Sequence, residues 1–295
     1  MARQLTVVVT CTERKSAGAA PELLVRNLAT GDVSARFEEW AGRLSRATSS
    51  RPLDQLYNGE AWSQVASLVR TARRAGYRPR LLVASAGLGL RPIESNAPPY
   101  GATFTSGHPD AVGQTLPERR CWWMRLAGLA DAQAMSTIRE RVLLVLSHAY
   151  ATAMDEDLIA LGHRGLNALV IGGARNIEGL PRVAADKALR SVLGGTATSL
   201  NLRTAQAWME RHDGGPRLFS TKTRLGWDQW AVRVRVPERY ERIPMTDRQV
   251  VDFVKAALRR RPTLSRTQAL RLLRDQSRAC EQSRFAALYA KAVSE

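Results

Sequence analysis

The sequence predicts an α/β fold: a small, mostly parallel sheet in a three-layer domain, followed by a basic helical C-terminal region. Three observations predict it. Short apolar runs recur near residues 5–10, 80–85, 142–147 and 168–171, each bounded by turn or charged residues. Stretches with helical spacing of apolar side chains separate them. The runs are apolar almost throughout rather than alternating, as in strands covered on both faces. Strands that alternate with helices in this way pair in parallel.

In order, Leu5-Thr6-Val7-Val8-Val9-Thr10 reads as a buried strand feeding the loop Cys11-Thr12-Glu13-Arg14-Lys15. Phe37 to Leu44 and Trp62 to Arg74 are helical by apolar spacing. Asn58-Gly59-Glu60 leads the second, with Asn58 either capping it or binding a base edge. Gly76 stops that helix before the strand Arg80 to Ser85. Ala86 to Pro117, rich in Gly and Pro, is a loop of a length that is usually either functional or disordered. A helix from Arg119 to Ala130, a strand at Val142 to Ser147, a helix from Ala149 to Leu161 and a strand at Ala168 to Ile171 follow. From Asn201 the pattern changes. A helix passes through Trp208, and the alternating Val and Arg of Trp230 to Val236 predict a strand with one basic face. Val250, Val251, Val254 and Leu258 then form one helical stripe, Leu270, Leu273 and Leu288 continue it, and Ser265 is a helix N-cap. The division is therefore 1–200, an α/β domain; 201–245, basic and irregular or strand; and 246–295, helical and basic.

The 295 residues hold 44 Lys plus Arg against 27 Asp plus Glu, a net charge of +17, with 44% hydrophobic residues. That composition excludes a disordered basic tail. No apolar stretch reaches the roughly 18 residues of a membrane span, and the first segment is too short for a signal peptide. Cys11, Cys121 and Cys280 lie far apart, which argues against a disulfide framework, zinc ribbon or iron–sulfur site. His108, His148, His163 and His212 form no close ligand pair. The expectation is a cytoplasmic protein that uses no metal or other cofactor and no membrane. Residues 201–295 hold 20 basic and 10 acidic side chains, against 24 and 17 in residues 1–200. Such an excess concentrates polyanions, and solubility alone is the competing explanation. Trp227, Trp230 and Tyr240 interleave with the basic residues, as stacking surfaces for nucleic acid do. The expected nucleic-acid contacts are Lys15, Arg91, Arg175, Lys222, Arg224, Arg259, Arg260, Arg261, Arg266 and Arg274.

In parallel sheets the ligand crevice lies beyond the carboxyl ends of the strands. Here those ends are Thr10–Lys15, Ser85–Gly89, Ser147–His148 and Gly172–Arg175. Gly87-Leu88-Gly89 and Gly172-Gly173 read equally as phosphate-approaching backbone or as tight turns. Asn58, Ser85, Gly87, Tyr100, Ser147 and His148 are candidate base-binding residues. Glu94 is the favoured catalytic carboxylate, because it follows a strand end and Pro92 with Pro98-Pro99 stiffens its loop. Asp110, beside His108-Pro109, competes with it, and Glu13 is third.

Cys11-Thr12-x-x-Lys15, Leu56-Tyr57-x-Gly59, Ser85-Ala86-x-x-Gly89-Leu90-x-Pro92 and Pro99-Tyr100 form an ordered set. Through it residues 5–175 resemble the uracil-DNA-glycosylase-like superfamily, near the YaaA-like peroxide-stress proteins and the glycosylase-like domain of archaeosine synthase. Ser277-Arg278-Ala279-Cys280-Glu281-Gln282-x-Arg284-Phe285 is similar to a helical tail of some members. The resemblance implies a monofunctional DNA N-glycosylase that flips out a modified base and leaves an abasic site. Anti-phage members that remove glucosylated hydroxymethylcytosine are the nearest functional match. Two departures stand out: Gly-x-Asp-Pro is missing after the first strand, and Ser147-His148 lacks the following Pro-Ser. A non-catalytic DNA-binding stress protein and a base-exchanging transglycosylase of the 7-deazaguanine type are the alternatives.

Overall fold

The computed structural model describes residues 3–211, 216–237 and 242–294. The chain divides into two compact units, Met1–Val236 and Pro237–Glu295.

The first unit opens with β1 (Arg3–Thr10), then α1 (Val33–Ser45), β2 (Arg51–Pro52), α2 (Leu53–Leu56) and α3 (Glu60–Arg74). Next come β3 (Tyr77–Ser85), β4 (Gly89–Pro92), β5 (Asn96–Ala97) and α4 (Leu116–Leu126). They are followed by β6 (Arg141–Leu146), α5 (His148–Ala153), α6 (Asp155–His163), β7 (Ala168–Gly172) and β8 (Arg182–Val183). Then α7 (Arg190–Leu193), α8 (Leu200–Glu210) and α9 (Thr221–Val234) close the unit.

Six strands form one sheet in the order β4-β3-β1-β6-β7-β8. All neighbours are parallel except β3 and β4, which form a hairpin. The four sequence-predicted strands lie side by side at its centre. Their apolar runs explain why: Leu5, Val7, Val8 and Val9 of β1, Val142 to Leu146 of β6 and Ala168 to Ile171 of β7 are all buried. Around the sheet, α3 packs with α8, and α1 packs with α4, which in turn meets α5. Trp40 and Trp122 are fully buried there, and each indole N–H donates to a backbone carbonyl, of Gly87 and Ala86 respectively, at 2.8 Å. That satisfies the polar end of a large apolar side chain and fixes the turn after β3.

Two expectations differ from the structure: the expected loop 86–117 carries β4 and β5, and the expected strand at the end of the first unit is a helix. Residues 230–236 are not a strand, because α9 runs to Val234. Ser220 caps it by accepting from the Thr223 N–H, and Thr223, Trp227 and Ala231 make a buried stripe at intervals of four. The valines that alternate with arginine serve no sheet: Val232 and Val236 are exposed. Since Leu202, Trp208, Leu218, Trp227 and Ala231 join the core of the first unit, residues 201–236 belong with it rather than to a separate segment.

The second unit holds β9 (Ile243–Pro244), α10 (Asp247–Arg260), α11 (Arg266–Asp275), β10 (Arg278–Ala279) and α12 (Gln282–Ser294). Its own core gathers Val250, Val254, Leu270, Leu273 and Phe285. Capping boxes start two of its helices, Thr246 with Gln249 and the expected Ser265 with Gln268. No helix among the described residues is long and apolar enough to cross a membrane.

Candidate functional site

The sheet fixes where to look. The chain passes from β1 to β3 on one side, then returns to β6 on the other side of β1. The crevice of such a sheet opens at the carboxyl ends of the two strands where the connections diverge. Those ends are Cys11, after β1, and Ser147, after β6. A contact joins them, with Cys11 Sγ 2.9 Å from the hydroxyl of Tyr150, in the first turns of α5.

Beside it, residues far apart in sequence converge. Lys15 pairs with Tyr57 in an isolated antiparallel bridge. Its ammonium lies 4.2 Å from the Tyr100 ring centroid and 5.7 Å from that of Tyr57. It donates to the carbonyls of Thr12 and Glu13 at 3.2 and 3.4 Å. Ser85 Oγ accepts from the N–H groups of Gly87 and Leu88, both at 3.1 Å. With both lone pairs used, its own proton goes to the Tyr100 hydroxyl at 2.5 Å, and Tyr100 donates onward to Tyr57 at 2.7 Å. The relay therefore runs Ser85 to Tyr100 to Tyr57. Burial, first, and the adjacent Cys11 raise all three tyrosine pKa values well above the ordinary one, so Tyr57, Tyr100 and Tyr150 remain neutral donors at physiological pH. Burial lowers the pKa of Lys15, although Cys11, Glu13 and Asp110 pull the other way.

Gly87 has a packing reason to be glycine: a Cβ there would lie 2.6 Å from the Tyr100 ring. Its N–H is already spent on Ser85, so it belongs to the support of Tyr100 rather than to a phosphate cradle. Gly172-Gly173 reads likewise. Both have positive φ, a Cβ on Gly172 would lie 2.5 Å from the Leu146 carbonyl, and the Gly173 N–H donates to that carbonyl at 2.8 Å.

Next to Tyr100 stands an ionic group. Asp110 is buried and accepts from the backbone N–H and guanidinium of Arg26. Burial alone would raise its pKa, but these bonds and His108 outweigh it and hold the carboxyl below its usual range. The Asp110 N–H donates to His108 Nδ1 at 3.0 Å, which leaves the proton on Nε2. Nε2 then donates to Glu13 Oε1 at 3.1 Å. Glu13 is 80% exposed along its side chain, so it is the carboxylate of this group that solvent or a ligand can reach.

Ser85, Gly87, Tyr100, Lys15, Asp110 and Glu13 are thus brought together, and Ser147 ends the neighbouring strand. Asn58 is exposed beside Arg14 and does not cap α3. Its Oδ1 accepts from its neighbour Gly59 at 2.6 Å, and Gly59 occupies the cap position without a side-chain bond. Ser147 is half-buried, and His148 is exposed at the start of α5. Glu94 lies elsewhere. β4 folds back along β3, pairing Ser85 with Gly89 and Leu82 with Pro92, so the next turn returns toward the amino ends of the strands. Glu94 is exposed there, roughly 15 Å along the sheet from Ser85 at strand rise. Arg91 is buried, donating to the Leu88 carbonyl and Asp131, so it is not a surface contact for nucleic acid. Arg175 pairs with Asp155, which Arg120 shares. Lys222 is exposed on α9, and Arg224 is half-buried and bonded to Thr221.

The expected stacking aromatics are also corrected. Trp227 is 2% exposed, wedged between Trp208 and Trp230, and the Arg211 guanidinium covers Trp230 at 3.7 Å. Tyr240 and His212 lie outside the described residues. Arg259, Arg260, Arg261 and Arg266 are exposed and Arg274 is half-buried, all in the second unit. Among the described residues no group of three or more His, Cys, Asp or Glu could hold a metal ion.

Sequence reasoning missed Arg26, Tyr57 as a buried hydroxyl, His108 as the link to Glu13, and Tyr150. For Tyr57 a signal existed, since it stands inside the Leu56-Tyr57-x-Gly59 motif; Arg26 carries none. No family model matches the chain, and no curated protein or solved structure matches it.

Proposed function

We propose that the chain is an N-glycosidase that releases a modified base from DNA, with the phage base glucosylated hydroxymethylcytosine as the first candidate substrate. One observation carries the reading. The motif residues on which the glycosylase resemblance rests, Cys11, Lys15, Tyr57, Ser85 and Tyr100, meet at the carboxyl ends of β1 and β3, with the Asp110–His108–Glu13 group beside them.

In this reading a flipped nucleotide enters the crevice. Glu13, oriented by His108, faces the sugar carbon that turns cationic as the base departs, and it holds the attacking water. Its exposure and its single His donor leave lone pairs for that task. Asp110 acts through others as a positioning residue: its carboxylate anchors Arg26, and its backbone N–H sets the His108 tautomer. The Lys15 ammonium and the Tyr57 hydroxyl, whose proton the relay from Ser85 through Tyr100 leaves unspent, supply preorganised donors for charge developing on the leaving base. Incubation with unmodified and hypermodified phage DNA tests it, with abasic sites counted by an aldehyde-reactive probe and released bases identified by mass spectrometry. Abasic sites on modified DNA, absent with Glu13→Gln, are expected. Binding without any released base would leave a DNA-binding protein instead, and turnover only with added free base would indicate exchange.

A further inference from the structure

We propose that the second unit is a duplex-DNA reader whose helix α11 enters the major groove. This rests on that unit alone and not on the glycosidase reading. α10 and α11 are joined by a short turn through Arg261–Ser265, and α12 packs on α10. Two helices joined by such a turn, braced by a third, form the frame that presents one helix to DNA. α11 is ten residues long, about 15 Å, which suits a groove about 12 Å wide.

The side chains on α11 divide cleanly. Ala269, Leu270 and Leu273 face the core, whereas Arg266, Thr267 and Gln268 in its first turn and Arg271 in its second are exposed. Arg and Thr are side chains that hydrogen-bond base edges, Gln268 keeps its amide N–H groups for the same use while its Oε1 accepts from the Ser265 N–H, and the 38%-exposed Leu272 beside them suits a thymine methyl. Neither Arg266 nor Arg271 forms an ion pair among the described residues, so their charge is open to a polyanion. A surface cavity of about 260 Å³ runs along this helix, lined by Arg266, Arg271, Arg274 and Gln282, with Asp275 as the one acidic side chain among its described residues. Arg259 and Arg260 at the end of α10, with Arg261 opening the turn, are placed to grip phosphates while α11 reads bases. Thr267, Gln268 and Arg271 on the outward face, with Arg266 at the helix start, mix polar and cationic side chains, which a merely soluble basic surface does not require.

The test uses the full chain and a randomised duplex library. The wild-type protein should enrich a shared short motif. Arg266→Ala/Arg271→Ala should lose that motif and bind the selected duplex about ten- to a hundredfold more weakly, with an unchanged circular dichroism spectrum. Arg70→Ala/Arg73→Ala, which removes equal charge from exposed positions on α3, should keep the motif and most of the affinity. Binding without enrichment would overturn groove reading in favour of phosphate contact alone. Equal losses in both double variants, or equal competition by single-stranded RNA, would overturn it as well.

Discussion

The carboxyl end of β3 and the turn that flanks its middle carry similar sequence cues and hold opposite environments. At its carboxyl end, Ser85, Tyr100 and Tyr57 are buried and bonded to one another, with Lys15 over the rings and Asp110 locked to Arg26. Toward its amino end, past the β4 hairpin, Glu94 sits in an exposed turn. Both segments are rich in Pro and polar residues, and both follow a strand. The difference teaches that a residue's distance from a strand end along the chain does not give its distance from the crevice. One hairpin reverses it. Buried polar groups must satisfy one another, and that requirement preorganises the carboxyl end for chemistry.

Four expected outcomes break or sharpen this contrast, beginning with the largest. Glu13→Gln should lower base release at least about 100-fold without changing the fold, the scale of losing an acid–base or charge-stabilising group. Lys15→Met should lower it about tenfold or more, read in the same assay, with a lower melting temperature as well, because the Thr12 and Glu13 carbonyls lose their donor and the Tyr100 ring its cation. Gly87→Ala should act on both properties. Its Cβ meets the Tyr100 ring, so denaturant melts should show a loss of about 1–3 kcal/mol, with weaker release.

The fourth concerns pH. The Asp110 carboxyl is held below its usual range in the folded state. It therefore contributes stability at pH values above the unfolded carboxylate pKa of about 3.9, and loses it as pH falls through the lower folded value. Thermal melts from pH 6 to pH 3 should show part of the acid loss disappearing in Asp110→Asn. An identical pH dependence in both proteins would remove Asp110 from the stabilising network.

The central sheet was legible because its strands are apolar runs with no competing pattern; Val7-Val8-Val9 can hardly be placed elsewhere. The β3–β4 hairpin was not, since Gly89 with positive φ marks the turn but glycine also suits a ligand loop. The α9 helix was misread because Val-Arg alternation has the period of a strand. The Thr223, Trp227, Ala231 spacing that decides it becomes visible only when the window starts at Ser220. Of the site, Lys15, Ser85, Gly87, Tyr100 and Asp110 were found through motifs and strand ends. Arg26 was invisible, because its partner lies 84 residues away in sequence and only the fold brings the two together.

The most direct measurement is single-turnover base release by Glu13→Gln and Glu94→Gln on one modified duplex, with wild type alongside. If the carboxyl end of β3 borders the reactive centre, Glu13→Gln falls at least about 100-fold and Glu94→Gln stays within about twofold of wild type. The reverse pattern, with Glu94→Gln inactive and Glu13→Gln near normal, would contradict the account and move the chemistry away from the carboxyl end of the strand.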